Sequence, residues 1–432
     1  MKTWLRTCVT THRTCGNVPS SPWLPTRLVD VSDLSKPRLV LSKDIPMEGQ
    51  APSYMTLSHR WTDDIVRLTT DNIFEFQNRI PAETLCQTFL DAFTVARQLG
   101  VGYIWIDSLC ILQDSDHDWK YESTEMGRIY QNGLCNIAAT AASFGKEFSG
   151  LLLKDRKPTR RLSAAFGIPI QGSHEQLMKS ALFTASCDSD FGDLWRSAVE
   201  QSPLRSRGWV FQERYLSPRT IHFASSEVFW ECITTITSES ANSLPISLYD
   251  KYTRSVKRWG IASDHNSHLE PWYGIVFQYS QCSLTRESDR LMALAGVAKS
   301  VASYRDSIPH SAPAKYLAGL WESDLPESLV WIVDLAFATG PCSRSDKYRA
   351  PTWSWTSLDF ESAEVSSGGY LGTGRRVPVV QVLDTQVIPQ DGFNEFGPLV
   401  GGRILISGRT YPLNLAELPS PESATPGTDT FL

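Results

Sequence analysis

Apolar positions along the chain switch between a strand-like and a helix-like period, and the switches mark out the elements. Pro25-Thr26-Arg27-Leu28-Val29-Asp30-Val31 and Arg38-Leu39-Val40-Leu41, joined by a Ser/Lys/Pro turn, read as two short strands. Tyr54-Met55-Thr56-Leu57-Ser58-His59 reads as a third, ending in polar side chains. After Pro81, Leu85, Phe89, Ala92, Phe93, Ala96 and Leu99 recur at helical spacing, and Gly100 ends that helix. Val101 to Ile106 follows as an apolar run fit for a buried strand. Strand, helix and strand with tight connections predict a parallel α/β unit.

Ser115 or Asp116 caps the next predicted helix, whose Trp119, Glu122, Met126, Ile129 and Tyr130 share one stripe. Glu122 therefore falls among apolar positions and not on the solvated face. Cys135 to Ala142 is a further buried strand, Trp209 to Tyr215 a short helix, Thr220 to Ala224 a strand and Glu227 to Cys232 its hairpin partner. The expected architecture is an α/β domain over 25–235, with parallel strands flanked by helices and an unpatterned insertion at 154–200. A mainly helical region at 245–350, including Leu317 to Trp321 and Leu329 to Leu335, and a β-rich region at 351–412 follow. The polar, proline-containing residues 1–24 read as a flexible segment, and the Pro/Ser/Thr/Gly-rich residues 413–432 as a disordered tail.

Composition narrows the partners. A formal net charge of −6 and the lack of a long Lys/Arg run exclude a general attraction to nucleic acid. No apolar run approaches the roughly 18 residues of a membrane span, and no apolar stretch follows Lys2 and Arg6 as a secretory signal requires. Nine cysteines, most of them inside apolar segments, read as reduced thiols of a cytoplasmic or nuclear protein, and the cytoplasm is the expected location. Cys8, His12 and Cys15 offer three metal-ligand side chains, but a structural zinc site closes with four. With no fourth ligand nearby in sequence, no metal is expected.

Ligand sites in parallel α/β sheets form beyond the carboxyl ends of strands. Ser58, His59, Arg60 and Trp61 follow one such end, Asp107 and Ser108 the next, and Glu122 is expected to converge on the same crevice. Hydroxyl, guanidinium and two carboxylates make a pocket for a polar small molecule, with Glu122 and Asp107 as its chemical groups. Burial would raise the pKa of Glu122 unless an arginine pairs with it, and Arg60, Arg207 and Arg214 are the candidates. Each residue also has a bland reading. Asp107 can cap the turn that follows it, Glu122 can fasten its helix to an arginine, and His59 can be an ordinary loop histidine. Cys110 between Leu109 and Ile111 fits a core thiol, and Gln212, Glu213 and Arg214 share one helical turn as a buried ion-pair network would. No phosphate-cradling glycine loop with Lys-Ser/Thr, no His-Glu-x-x-His and no Gly-x-Ser-x-Gly is present, so kinase, zinc-protease and ordinary hydrolase chemistry lack support.

Three blocks in order resemble the fungal heterokaryon-incompatibility (HET) family. They are Tyr54-x-x-Leu57-Ser58-His59-Arg60-Trp61, Trp105-Ile106-Asp107-Ser108-Leu109-Cys110-Ile111-Leu112-Gln113-Asp114, and Arg207-Gly208-Trp209-Val210-Phe211-Gln212-Glu213-Arg214. The spacing Asp118-Trp119-x-x-Glu122-x-x-x-Met126-x-x-Ile129-Tyr130 is similar to the helix between the second and third blocks. Thr62 stands where the family more often has glycine. Asp289-Arg290-Leu291, Tyr316 to Trp321 and Arg349 to Trp355 resemble the region that commonly follows the domain. The resemblance implies a fungal, intracellular effector or signalling module of non-self recognition and programmed cell death, working through self-association or another incompatibility protein. The family is also distantly similar to TIR domains, some of which cleave NAD with a glutamate. That implies a TIR-like core, NAD as a substrate rather than a cofactor, and Glu122 as the glutamate. Recruitment to small-molecule (secondary metabolite) biosynthesis is a third reading of the same crevice.

Overall fold

Trp4, Leu5 and Cys8 lie within about one helical turn, and that stripe orders the start of the chain. In the computed structural model helix α1 (Lys2–Thr11) buries Leu5 and Cys8, while Trp4 packs tilted on Trp230 with ring centroids 6.4 Å apart. The flexible segment expected at the N-terminus is thus helical over most of its first half. A ten-residue helix is marginal alone, so it is the sheet edge beneath it that orders it. The structure describes residues 1–16, 23–46, 51–63, 65–141, 150–152, 164–169, 180–185, 188–240, 244–245, 269–309, 312–367, 380–392 and 394–409.

The elements of the main sheet follow the predicted order. Strands β1 (Arg27–Asp30) and β2 (Arg38–Leu41) form an antiparallel hairpin. Strand β3 (Tyr54–Ser58) is fully buried along its length, and α2 (Ile73–Asn78) and α3 (Gln87–Gln98) lead from it to β4 (Tyr103–Trp105). Gly100, at φ +84°, makes the left-handed turn that ends α3. Short α4 (Asp107–Cys110) and the longer α5 (Asp116–Asn132) precede β5 (Cys135–Ala138). Ser115 caps α5 by accepting from the Asp118 N–H at 3.3 Å.

The insertion contributes a hairpin of β6 (Ala164–Pro169) and β7 (Ser180–Ala185), then α6 (Asp188–Trp195); most of its remaining residues lie outside those described. Helix α7 (Gly208–Leu216) leads into β8 (Arg219–Phe223), β9 (Val228–Cys232), β10 (Thr235–Ser238) and β11 (Leu244–Pro245).

Among the described residues, nine strands form one sheet in the order β11-β10-β9-β8-β5-β3-β4-β1-β2. Strands β4, β3, β5 and β8 are parallel, while the pairs at both edges are antiparallel. The expected α/β core with parallel strands between helices is therefore present, widened by hairpins. From β3 the chain moves to β4 on one side, and from β5 to β8 on the other. That reversal opens a crevice beyond the carboxyl ends of β3 and β5, where Ser58 pairs in register with Ala138.

Helices α8 (Leu269–Ser280) and α9 (Arg290–Asp306) fall in the expected helical region, of which residues 246–268 lie outside those described. Among the described residues the last α-helix ends at Asp306, and the helical turns that follow it are short 3-10 ones. Strands β12 (Tyr316–Leu317) and β13 (Leu320–Trp321) make a tight hairpin, turned by Ala318 at φ 50° and Gly319 at φ 97°. A Cβ on Gly319 would sit 2.7 Å from the Trp355 ring nitrogen, so the aromatic packing admits only glycine there. Strand β14 (Trp331–Thr339) alternates part-buried Trp331 and Val333 with exposed Ile332 and Asp334, a period of two that overrides helix propensity. It precedes β15 (Ser343–Arg344), β16 (Leu358–Asp359) and β17 (Ser362–Ser367), with which β14 pairs, and the long hairpin of β18 (Val380–Pro389) and β19 (Leu399–Gly408). The proposed tail from 413 lies outside the described residues.

Helices α5 and α9 touch backbone to backbone. A Cβ on Gly127 would lie 2.8 Å from the Gly296 Cα, and one on Gly296 would lie 2.9 Å from the Gly127 Cα. Neither helix can yield without moving the other, so Gly127→Ala should cost about 1–3 kcal/mol despite alanine's better helix propensity. Urea denaturation checks this; an unchanged midpoint would show that the helices can part at little cost.

Candidate functional site

The carboxyl ends of β3 and β4 hold the first group of polar side chains. Asp107 opens α4, where its Oδ1 accepts the N–H of the next residue, Ser108, at 2.7 Å; it does not cap the helix, whose N-cap position is Ile106. Its Oδ2 has a different use: Trp61 donates its indole N–H to it at 2.8 Å. His59 follows β3, buried and edge-on to Phe89 with centroids 5.1 Å apart. Its Nε2 lies 3.8 Å from Asp107 Oδ1, beyond hydrogen-bonding distance. Arg207, just before α7, donates to the His59 carbonyl at 3.0 Å and so brings a third segment to the crevice.

Electrostatics make this centre unusual. Burial lowers the His59 pKa, Asp107 works against that, and Arg207 adds to it. Glu213, on the inner face of α7, is pushed up to about 7. Burial is the largest cause and the Asp107 charge the next, opposed by the Ser58 hydroxyl, the Arg207 charge and Tyr130. Tyr130 donates to the Leu57 carbonyl at 3.2 Å. Four buried atoms among the described residues lack a hydrogen-bond partner around these strand ends and on α7: His59 Nε2, Ser108 Oγ, Gln212 Nε2 and Glu213 Oε2. Unpaired buried polar atoms are costly, and titratable groups with displaced pKa values cluster where proteins bind or react.

Glu122 does not join this group. It is buried on α5 beneath β1, where Arg27 Nη2 lies 3.2 Å from its Oε1 and 2.5 Å from Asp118 Oδ2. The same guanidinium donates through Nε to the Cys110 carbonyl at 2.6 Å. The arginine that pairs with Glu122 is therefore Arg27 and not Arg60, Arg207 or Arg214. The pairing crosses 95 residues of sequence, and Arg27 stands at the start of an apolar strand, where a buried cation was the one available signal. Burial raises the Glu122 pKa, opposed by hydrogen bonding to Thr26 and by Arg27. Glu122 lines a cavity of about 390 Å³ together with Trp23, Thr26, Lys43, Tyr121 and Glu125.

The remaining candidates have other placements. Arg60 is exposed. Gln212 accepts the Gly296 N–H at 3.2 Å and ties α7 to α9. Arg214 is the centre of a buried network: its Nη2 lies 2.7 Å from Glu200 and its Nε 2.9 Å from Glu231. Glu231 also meets His222 Nε2 at 3.0 Å, and Trp195 donates to Glu200 at 3.0 Å. Cys110 is a core thiol, its pKa pushed up to about 12 by burial. The structure brings Ser58, His59, Trp61, Asp107, Ser108, Arg207 and Glu213 to one centre together with Tyr130, which the sequence did not single out for it, and sets Glu122 apart beside Arg27.

Fold and site together define an α/β protein with a buried polar centre at the carboxyl edge of a parallel sheet. Residues 54–213, from the first residue of β3 to Glu213 itself, match the family model described as heterokaryon incompatibility protein (HET). This segment is a HET domain. No curated protein and no solved structure matches the chain. Among the described residues, no helix is long and apolar enough to cross a membrane.

Proposed function

We propose that the chain is an effector or signalling module of non-self recognition, acting in the cytoplasm and leading to programmed cell death. It does so by self-association or by engaging another incompatibility protein. The observation that carries this reading is the HET match over 54–213. The matched segment encloses the whole carboxyl-edge centre, including buried polar atoms that have no hydrogen-bond partner among the described residues. Such atoms are satisfied by a ligand or by a second conformation, and either serves a switch. Expression in fungal cells tests it: viability falls with the wild-type chain and recovers with Asp107→Asn. Unchanged viability at high expression removes the death-effector reading.

A second reading is cleavage of NAD, and the cavity beside Glu122 favours it. Trp23 and Tyr121 offer aromatic faces, Lys43 a cation, and Glu122 a carboxylate that can stabilise the ribosyl oxocarbenium ion as nicotinamide leaves. Water then adds to the anomeric carbon and gives up a proton. Nicotinamide release by purified protein, lost in Glu122→Gln with the fold retained, is the expected result. Absence of release, or release untouched by the substitution, sinks it.

A further inference from the structure

Cys8 lies in the last turns of α1, His12 caps its C-terminus, and Cys15 follows in the next turn. Tertiary structure adds the fourth side chain that the sequence lacks nearby. Cys232, the last residue of β9, lies with its Sγ 3.5 Å from His12 Nδ1, a contact spanning 220 residues. Cys15 Sγ lies 3.8 Å from the same nitrogen, and all four ligand atoms fall within 4.8 Å of one another. The three cysteines are buried and His12 is half-buried.

We propose that Cys8, His12, Cys15 and Cys232 bind one structural zinc ion that clamps α1 to the edge of the sheet. A tetrahedron with zinc–sulfur bonds of about 2.3 Å has edges of about 3.8 Å, close to the observed contacts. The group is too tight for an iron–sulfur cluster, whose cysteine sulfurs stand further apart. Three cysteines and one histidine form a closed four-ligand set with no open position for chemistry, so the ion is structural.

A second observation points to the same group. Arg219 at the start of β8 is buried, and among the described residues no carboxylate lies within ion-pairing distance of it. Its Nε donates to Cys8 Sγ at 3.2 Å, and its other nitrogens reach the carbonyls of Leu134, Cys15 and Gly16. A buried guanidinium needs a counter-charge. Three thiolates and one zinc ion carry a net single negative charge, which Arg219 cancels. Thr234, in the turn after β9, sets its hydroxyl 3.3 Å from Cys15 Sγ and completes the outer shell. All four ligands and Arg219 lie outside the segment matched by the HET model, so the clamp is a feature of the chain around the domain.

Purification of the chain from zinc-supplemented medium, under reducing conditions and without chelator, should yield one equivalent of zinc by mass spectrometry of the metal. Cobalt exchanged into the site should show the intense visible absorption of a tetrahedral thiolate complex. Cys232→Ser should lose the stoichiometric metal. Should that variant fail to fold, Arg219→Gln keeps every ligand and is expected to weaken zinc by about 10–100-fold in a chelator competition. Folded wild-type protein that neither contains zinc nor takes up cobalt overturns the proposal. So does full zinc content in folded Cys232→Ser, or a disulfide among the three cysteines in the metal-supplemented protein.

Discussion

Replacing Arg214 by leucine is expected to destabilise the fold by about 3–5 kcal/mol, the cost of leaving a buried charge without its partner. Arg214 is buried, its side chain lies between Glu200 and Glu231, and the Glu231 side chain is inaccessible to solvent. Glu200 keeps Arg205 at 3.0 Å and Trp195, whereas Glu231 keeps His222. The damage falls chiefly on Glu231, the more deeply buried of the two carboxylates. Burial by itself raises the Glu200 pKa, and the charges of Arg214 and Arg205 outweigh it, so the net shift is downward. A carboxylate with a depressed folded pKa stabilises above its unfolded value, and that stability is lost as the pH falls through the folded one. The wild type should therefore lose part of the network in acid, and Arg214→Leu should lose less there. Urea unfolding near pH 7 checks the size of the effect. Adding Glu231→Leu to Arg214→Leu should recover stability, because an apolar pair can replace a buried ion pair at small cost. A single-variant effect near zero would mean that solvent reaches the network.

Glu213→Gln should act with the opposite sign. Glu213 has a raised folded pKa, from the ordinary 4.5 to about 7, chiefly through burial. Between those values the native state holds a proton that the unfolded state has released, so stability falls as the pH rises and levels off above about 7. At about 1.4 kcal/mol per pH unit the full penalty is about 3 kcal/mol. Glutamine keeps the shape and removes the titration. The variant should match the wild type near pH 4 and exceed it by about 3 kcal/mol at pH 8. Stability curves measured by urea titration that run parallel across this range would show that Glu213 ionises as an ordinary carboxylate. A gain in stability accompanied by a loss of the death response would mark Glu213 as a residue kept at a cost for function.

Period and punctuation in the sequence determined most of the secondary structure of the HET segment. The stripe on α5, the Ser115 cap, the Gly100 stop and the apolar runs of β3, β4 and β5 each follow from local residues, because helices and strands differ in period and end on particular side chains. That the polar residues at the ends of β3 and β4 meet at one edge was legible for the same reason, since parallel strands direct their ends to one edge. Leu317 to Trp321 and Leu329 to Leu335 were misread as helix: short apolar runs carry no reliable period, and the turn at Ala318-Gly319 and the pairing of β14 with β17 decided their form.

Tertiary structure alone decided which charged and sulfur-bearing groups meet. Glu122 turned from Asp107 to Arg27, Arg214 joined Glu200 and Glu231, and Cys232 came to Cys8, His12 and Cys15. Each of these contacts joins separate elements that the sheet order sets side by side. No local period encodes such pairings, because they depend on where β1, β8 and β9 are laid in the sheet, and the low dielectric of the interior then makes each buried charge take whatever partner lies within reach.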